Sequence, residues 1–258
     1  MRIFRQTFRM CLAVVQLVRG MWWAKTKMPA TPPPQTDEQW ALVRKWHRQG
    51  LAIVGVHVHI HGERAERPVL FVSNHISWVD ISALLTVIDA GFVGKAELAR
   101  WPGLGLLIVR GGTIFIERGG RDAAANANTE MARRLEAGGS AAVFPEATTT
   151  RGGDAMRRFH PRLFDAARRT GARVQPIAIT YDNPTVPYVD NEHFLHHFWR
   201  LLAEREVNCH IHLLPPIETA GRDRRSIAAE AEAAIGAIVR AQPPVAPKAT
   251  ETTAQESA

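Results

Sequence analysis

The sequence predicts an α/β fold, a single domain with a mixed, mainly parallel sheet flanked by helices, preceded by an amphipathic N-terminal helix. Three observations predict it. From about Arg67 onward, short apolar and β-branched runs alternate with helical stretches. The 258 residues, 46% of them hydrophobic, suffice for one core with short appendages. The first thirty residues differ in kind: they carry Arg2, Arg5, Arg9, Arg19, Lys25 and Lys27 and no acidic residue, so much of the net charge of +7 sits there.

That first segment has the character of a membrane-surface anchor. Its longest apolar run, Met10 to Val18, is interrupted by Gln16, whereas a spanning helix needs roughly 20 apolar residues. Arg19 and Met21-Trp22-Trp23 follow the run where a secretory signal would have a small-residue cleavage site. Projected at about 100° per residue, Arg2, Arg5, Gln6, Arg9, Gln16 and Arg19 fall within an arc of roughly 140°. Ile3, Phe4, Phe8, Cys11, Leu12, Val15, Val18, Met21 and Trp22 occupy the other side. The pattern predicts a helix lying in a membrane interface; a helix packed on its own domain is the alternative. The two cysteines, Cys11 and Cys209, form no framework, which points to a reducing setting.

The remaining elements follow in order. Pro29, Pro32, Pro33 and Pro34 end the first helix and form a stiff spacer. Thr36 and Gln39 have capping-box spacing, predicting a second helix from about Asp37 to Gln49. Its Trp40, Leu42, Val43 and Trp46 among basic residues suit a further membrane contact, so residues 1–49 read as the anchor. Leu51 to His61 alternates like a half-buried strand. Further strands are expected at Val69–Ser73, Gly91–Gly94, Thr113–Glu117, Ala141–Phe144, Val174–Tyr181 and Cys209–Leu214. Helices are expected after Ile76, over Asn128–Glu136, over Arg162–Arg169 and over Asp223–Arg240. Residues 50–240 make the catalytic domain, and 241–258 read as a disordered tail.

Two histidine groups invite a metal reading. His57, His59 and His61 alternate on one strand, but ligand sets usually combine different elements, so an exposed polar face is the expectation. His193, His196 and His197 lack the Glu of a zinc-protease helix and read as surface or packing.

The sharpest local feature is Ser73-Asn74-His75-Ile76-Ser77-Trp78-Val79-Asp80, just after a strand. A histidine acts as general base when one ring nitrogen faces the nucleophile and the other is held in a fixed tautomer. A carboxylate at the start of the next helix can fold back to hold that second nitrogen. No GxSxG elbow or active-site cysteine context accompanies the pair, which fits a nucleophile supplied by the acceptor.

Further segments carry a family resemblance. Asn74-His75 with Asp80 matches the first motif of the glycerolipid acyltransferases, the 1-acylglycerol-3-phosphate acyltransferases of the lysophospholipid acyltransferase superfamily. Gly112-Thr113-Ile114-Phe115-Ile116-Glu117-Arg118 resembles the second motif, Val143-Phe144-Pro145-Glu146-Ala147-Thr148 the third, and Val174-Gln175-Pro176-Ile177 the fourth. Lys95-Ala96-Glu97-Leu98 and Trp101-Pro102-Gly103-Leu104-Gly105 resemble the stretch joining the first two, and the likeness runs from about Gly50 to Thr219.

The resemblance implies His75 as base, Asp80 as its orienting partner, and Arg118 as a contact for an anionic head group, with Lys95 as a second cation. It implies Glu146 and Thr148 in acceptor binding or site architecture and Pro176 in shaping a pocket. The acyl donor would be acyl-CoA or acyl carrier protein and no other cofactor, the partners membrane lipids rather than nucleic acid. The location would be the cytoplasmic face of the inner membrane, peripheral or monotopic. The chain departs from the pattern where Ala147 replaces a glycine and Thr149 an arginine, with Arg151 two residues on as a substitute. The Phe-Pro-Glu-x-Thr-Thr form recurs among acyltransferases for lyso-ornithine lipids, whose head group has no phosphate. Transfer to 1-acylglycerol-3-phosphate is the first expectation and transfer to a lyso-ornithine or other lysolipid the second. A non-catalytic lipid- or nucleic-acid-binding protein is the alternative of a different class, and a metallohydrolase on the histidine strand a third.

Overall fold

The run Val69-Leu70-Phe71-Val72-Ser73 is buried at every position, which requires cover on both faces and a central place in a sheet. The computed structural model describes residues 1–28, 36–116, 123–189 and 192–241. Among them, the strands are β1 (Val56–His61), β2 (Val69–Ser73), β3 (Gly91–Lys95), β4 (Ile114–Ile116), β5 (Ala141–Val143), β6 (Arg173–Tyr181) and β7 (Val207–Leu213). They form one sheet in the order β1-β7-β6-β2-β5-β3-β4. β6, β2, β5, β3 and β4 run parallel, β7 is antiparallel to β6, and β1 is parallel to β7. The mixed, mainly parallel sheet is therefore present.

The helices are α1 (Arg2–Lys27), α2 (Asp37–Val54), α3 (Val79–Leu84), α4 (Leu104–Arg110), α5 (Ala123–Glu136), α6 (Asp165–Thr170), α7 (Phe194–Leu202) and α8 (Arg224–Ala241). Alternate residues of β2 feed two cores. Val69 and Phe71 pack with Trp40 and Leu51 of α2, Leu84 of α3 and Leu201 of α7. Leu70 and Val72 pack with Met131 of α5, Ala166 of α6 and Ile235 of α8. This is the three-layer arrangement that parallel strands demand.

Three expectations need correction. The strand expected from Leu51 starts at Val56, because Leu51–Val54 complete α2 and Gly55 closes it at φ +80°. A boundary between Gln49 and Gly50 thus falls inside α2. Of the α2 residues expected to face a membrane, Trp40 and Val43 are instead buried in the core, with Leu51 and Val54, while Leu42 and Trp46 are half-buried. The helix expected over Arg162–Arg169 is split into a 3-10 turn, Pro161–Phe164, and α6. The Pro29–Pro34 spacer and residues 242–258 of the expected 241–258 tail lie outside the described residues, and Ala241 belongs to α8.

α1 is oriented the opposite way to a helix floating on its charges. Its polar face turns inward. Arg5 donates to Ala203 O, Gln6 Nε2 to Trp199 O at 3.0 Å, and Arg9 to Glu204 O at 2.5 Å. Arg19 bonds Gln49 Oε1 at 2.5 Å. The arginines therefore satisfy carbonyls at the ends of α7 and other domain groups, and Ile3, Phe4, Phe8, Leu12, Val15, Val18 and Trp22 stand exposed. No helix among the described residues is long and apolar enough to cross a membrane.

The α1–α2 contact is close because Gly20 has no side chain. Gln16 Nε2 donates to Trp46 O at 2.8 Å, Trp46 Nε1 donates back to Gln16 O at 3.1 Å, and a Cβ on Gly20 would collide with the Trp46 indole. Gly20→Val should push the helices apart and lower stability by about 1–3 kcal/mol in urea unfolding. An unchanged midpoint and slope would contradict this docking.

Candidate active site

Asn74 sets the exit of the chain from β2. Its Nδ2 donates to Ile179 O at 2.9 Å and its Oδ1 accepts from Ile179 N at 2.8 Å, so the buried amide extends the β2–β6 pairing by one residue. His75 then emerges at the carboxyl end of a central parallel strand, the usual position for a site in open α/β sheets.

Asp80, in the first turn of α3, is fully buried. Its Oδ2 accepts from Ile76 N at 2.6 Å, Ser77 N at 2.9 Å and His75 Nδ1 at 2.9 Å. The His75–Asp80 spacing thus has a local cause: the loop wraps around the carboxylate that closes it. Because Nδ1 carries the hydrogen toward Asp80, Nε2 is the acceptor nitrogen of the neutral ring. The His75 ring stacks on Phe144 with centroids 3.9 Å apart, and Phe144 stacks on Phe92 at 5.2 Å. The His75 side chain keeps 17% of its surface, so it is reachable from outside while Asp80 is not.

The third motif holds the His75 backbone on both sides. Glu146 Oε1 accepts from His75 N at 2.8 Å, and Thr150 N donates to His75 O at 2.8 Å. Glu146 Oε2 accepts from Arg157 N at 2.7 Å, so both carboxylate oxygens are engaged by main-chain donors. Burial pushes the Glu146 carboxyl above its ordinary range, although those two N–H groups pull the other way. Ala147, next in the loop, is exposed and has φ +59°. That left-handed conformation favours glycine and costs an alanine about 1 kcal/mol. Thr149 Oγ1 donates to Tyr188 O at 2.5 Å, and Tyr188 N donates to Ile76 O at 2.9 Å. The segment around Tyr188 therefore bridges the first and third motifs.

The other residues singled out in the sequence are distributed around this centre. Lys95 is exposed at the carboxyl end of β3, in register with Ile116 of β4. Arg118 lies outside the described residues, two positions beyond that strand end. Thr148 is half-buried and Arg151 exposed on the third-motif loop. Pro176 is buried within β6, level with Val72 of β2 and below the rim that carries His75. His75, Lys95 and Glu146 thus share the end of the sheet at which β2, β3 and β5 finish, whereas the fourth motif lies within the sheet.

Sequence reading missed Tyr181. Its hydroxyl donates to Asp80 Oδ1 at 2.7 Å across a separation of 101 positions, and no spacing rule signals such a contact. Of the histidines expected to be surface or packing, His197 is the packed one: it is fully buried and accepts from Trp78 Nε1 at 3.0 Å while its other nitrogen meets Val186 O at 3.1 Å. Burial lowers the His197 pKa, in keeping with a neutral brace. His193 and His196 are exposed. His57, His59 and His61 form an exposed face, joined by His210 and His212 of β7, with ring centroids 4.4 Å apart for His61 and His212. Among the described residues, no group of three or more His, Cys, Asp or Glu side chains is arranged to hold a metal ion.

The known proteins that this chain is similar to are acyltransferases. The acyltransferase family model matches residues 56–180. A lyso-ornithine lipid O-acyltransferase of Pseudomonas aeruginosa is 38% identical over 199 residues, covering 75% of this chain and 76% of that protein. A 1-acyl-sn-glycerol-3-phosphate acyltransferase of Neisseria meningitidis is 28% identical over 197 residues, covering 73% and 77%. In fold, the chain is similar to the 1-acyl-sn-glycerophosphate acyltransferase PlsC of Thermotoga maritima, with a TM-score of 0.70 at 19% identity over 93% of this chain and 97% of that one. The motif order, the fold and a relative of this identity and coverage lead to one conclusion: the chain belongs to the acyltransferase family, in its lysolipid O-acyltransferase group.

Proposed function

We propose that His75 is the general base for the acceptor hydroxyl, with Asp80 fixing its tautomer and stabilising the imidazolium that forms. The observation that carries this reading is the 2.9 Å bond from His75 Nδ1 to the buried Asp80 carboxylate, which leaves Nε2 for the hydroxyl proton. As that oxygen attacks the carbonyl of an acyl thioester, on coenzyme A or acyl carrier protein, Nε2 takes its proton. Collapse of the tetrahedral adduct re-forms the ester carbonyl and expels the thiolate, which the imidazolium proton can neutralise. Glu146 acts by holding the His75 main chain, since both its oxygens are already engaged. Lys95 on the rim and Thr148 and Arg151 on the third-motif loop are assigned to the acceptor's head group, and Arg118 is added on its place in the second motif alone.

The acceptor favoured is a lyso-ornithine lipid rather than 1-acylglycerol-3-phosphate. Position 149, an arginine in the phosphate-type pattern, is a threonine whose hydroxyl is tied to Tyr188 O. Position 149 therefore offers no planar, bidentate guanidinium to a phosphate, and the nearest arginine of the loop stands two residues on, at Arg151. The 38% identity to the Pseudomonas aeruginosa enzyme supports the same choice. With both lysolipids offered to the pure enzyme and one labelled acyl donor, transfer to lyso-ornithine lipid should exceed transfer to 1-acylglycerol-3-phosphate by about tenfold or more in kcat/KM. A preference for the phosphate acceptor would reverse the assignment.

α1 is proposed as a monotopic anchor at the cytoplasmic face of the cell membrane. The support is its inversion: the polar face is used up on the domain, and the apolar face is turned to the outside. Trp101, Leu195 and Trp199 add exposed apolar groups on segments that adjoin α1. Because α1 is also bonded to the domain, point changes test this better than deletion. Phe4→Asp with Phe8→Asp and Val15→Asp should abolish sedimentation with lipid vesicles and leave the melting temperature within a few degrees. Undiminished vesicle binding would remove the anchor.

A further inference from the structure

We infer that Tyr181 is a positioning residue of the acyl transfer, acting through the Asp80 carboxylate on His75. The inference rests on the proposed role of His75 and concerns a residue outside the four motif segments.

The two oxygens of Asp80 are treated unequally. Oδ2 collects Ile76 N, Ser77 N and His75 Nδ1, all from its own loop. Those donors hold Oδ2 from the loop side and give Oδ1 no partner. Oδ1 points into the core, where the Tyr181 hydroxyl donates to it at 2.7 Å. Asp80 has no exposed surface and Tyr181 has almost none, so solvent does not supply a substitute donor. The hydroxyl therefore holds the second oxygen from the core side, so the carboxylate plane, and with it the direction in which Oδ2 faces the imidazole, is fixed at both oxygens.

The surroundings suit this task. Tyr181 is the last residue of β6, held in antiparallel register opposite Cys209 of β7. Asn74 bonds Ile179 two residues earlier, so the strand that carries Tyr181 is the one that fixes the exit toward His75. Burial, and then the nearby Asp80 charge, raise the phenol's pKa well above its ordinary value, so it remains a donor over the working range. Burial likewise raises the Cys209 thiol. The group facing Asp80 from the sheet is thus a fixed neutral donor and not a second charge.

The test uses the full-length enzyme with Tyr181→Phe and with 3-fluorotyrosine installed at position 181, acylating lyso-ornithine lipid in detergent micelles from labelled acyl-CoA. Tyr181→Phe should lower kcat about tenfold, the scale of one hydrogen bond to a charged group, with KM within about twofold. In proton NMR the downfield His75 Nδ1–H resonance should broaden into the baseline. The 3-fluorotyrosine enzyme should retain kcat within about threefold, because the donor is kept. Its Nδ1–H resonance should move upfield as the more acidic phenol draws charge toward Oδ1. A loss of melting temperature with kcat and resonance intact would make Tyr181 merely structural and overturn the inference. Equal loss of kcat in the Phe and fluorotyrosine enzymes would overturn it too, as would an unmoved resonance in the latter. The resonance needs no substrate, and in the fluorotyrosine enzyme, which keeps the hydroxyl, it reads Tyr181 even when the Phe variant folds poorly. Absence of transfer by the wild-type enzyme to any lysolipid would instead refute the proposed function.

Discussion

The structure around the site depends on one buried anion. Asp80 has no solvent to hydrate it, and a carboxylate buried there without hydrogen-bond donors would destabilise the fold. It is accommodated because main-chain N–H groups, an imidazole and a phenol all point at it. Each donor is also a constraint. The main-chain pair shapes the loop between β2 and α3, the imidazole fixes the His75 tautomer, and the phenol ties this loop to the end of β6. The interaction that orients the base is the same one that gives the first motif its conformation. Changes here should therefore be felt in folding and chemistry together.

A second layer holds the His75 main chain. Glu146 and Thr150 grip its N–H and C=O, so the third motif sets the position of the histidine while Asp80 sets the direction of its ring. Ala147 remains in a left-handed conformation within that loop. The neighbouring bonds from Thr149 to Tyr188 and from Tyr188 to Ile76 over-determine the loop and allow the strain to persist.

Much of this was legible in the sequence wherever the cause was local. The capping box at Thr36, the buried run of β2 and the His75–Asp80 loop each depend on neighbours in the chain. Tyr181 was not legible, because its contact is made by sheet assembly across 101 positions. α4 and α7 were missed for different reasons: the seven residues of α4 complete only about two turns, whereas Phe194, Leu195, Phe198, Trp199, Leu201 and Leu202 of α7 do carry a helical spacing that the histidine cluster drew attention away from. The amphipathicity of α1 was readable, but its direction was not. Helical projection separates a charged face from an apolar one without saying which of them meets protein. The unpaired carbonyls at the ends of α7 and α2 decide that, since they accept from Arg5 and Arg9.

The central claim is that His75, held by Asp80, removes the acceptor's proton. It is tested most directly by the turnover number of purified His75→Ala with saturating lysolipid and acyl donor, with its circular dichroism spectrum and melting curve recorded beside it. The account predicts a folded protein whose transfer rate has fallen by about three orders of magnitude or more. A folded variant that retains a tenth or more of the wild-type rate, as an order of magnitude, would contradict it.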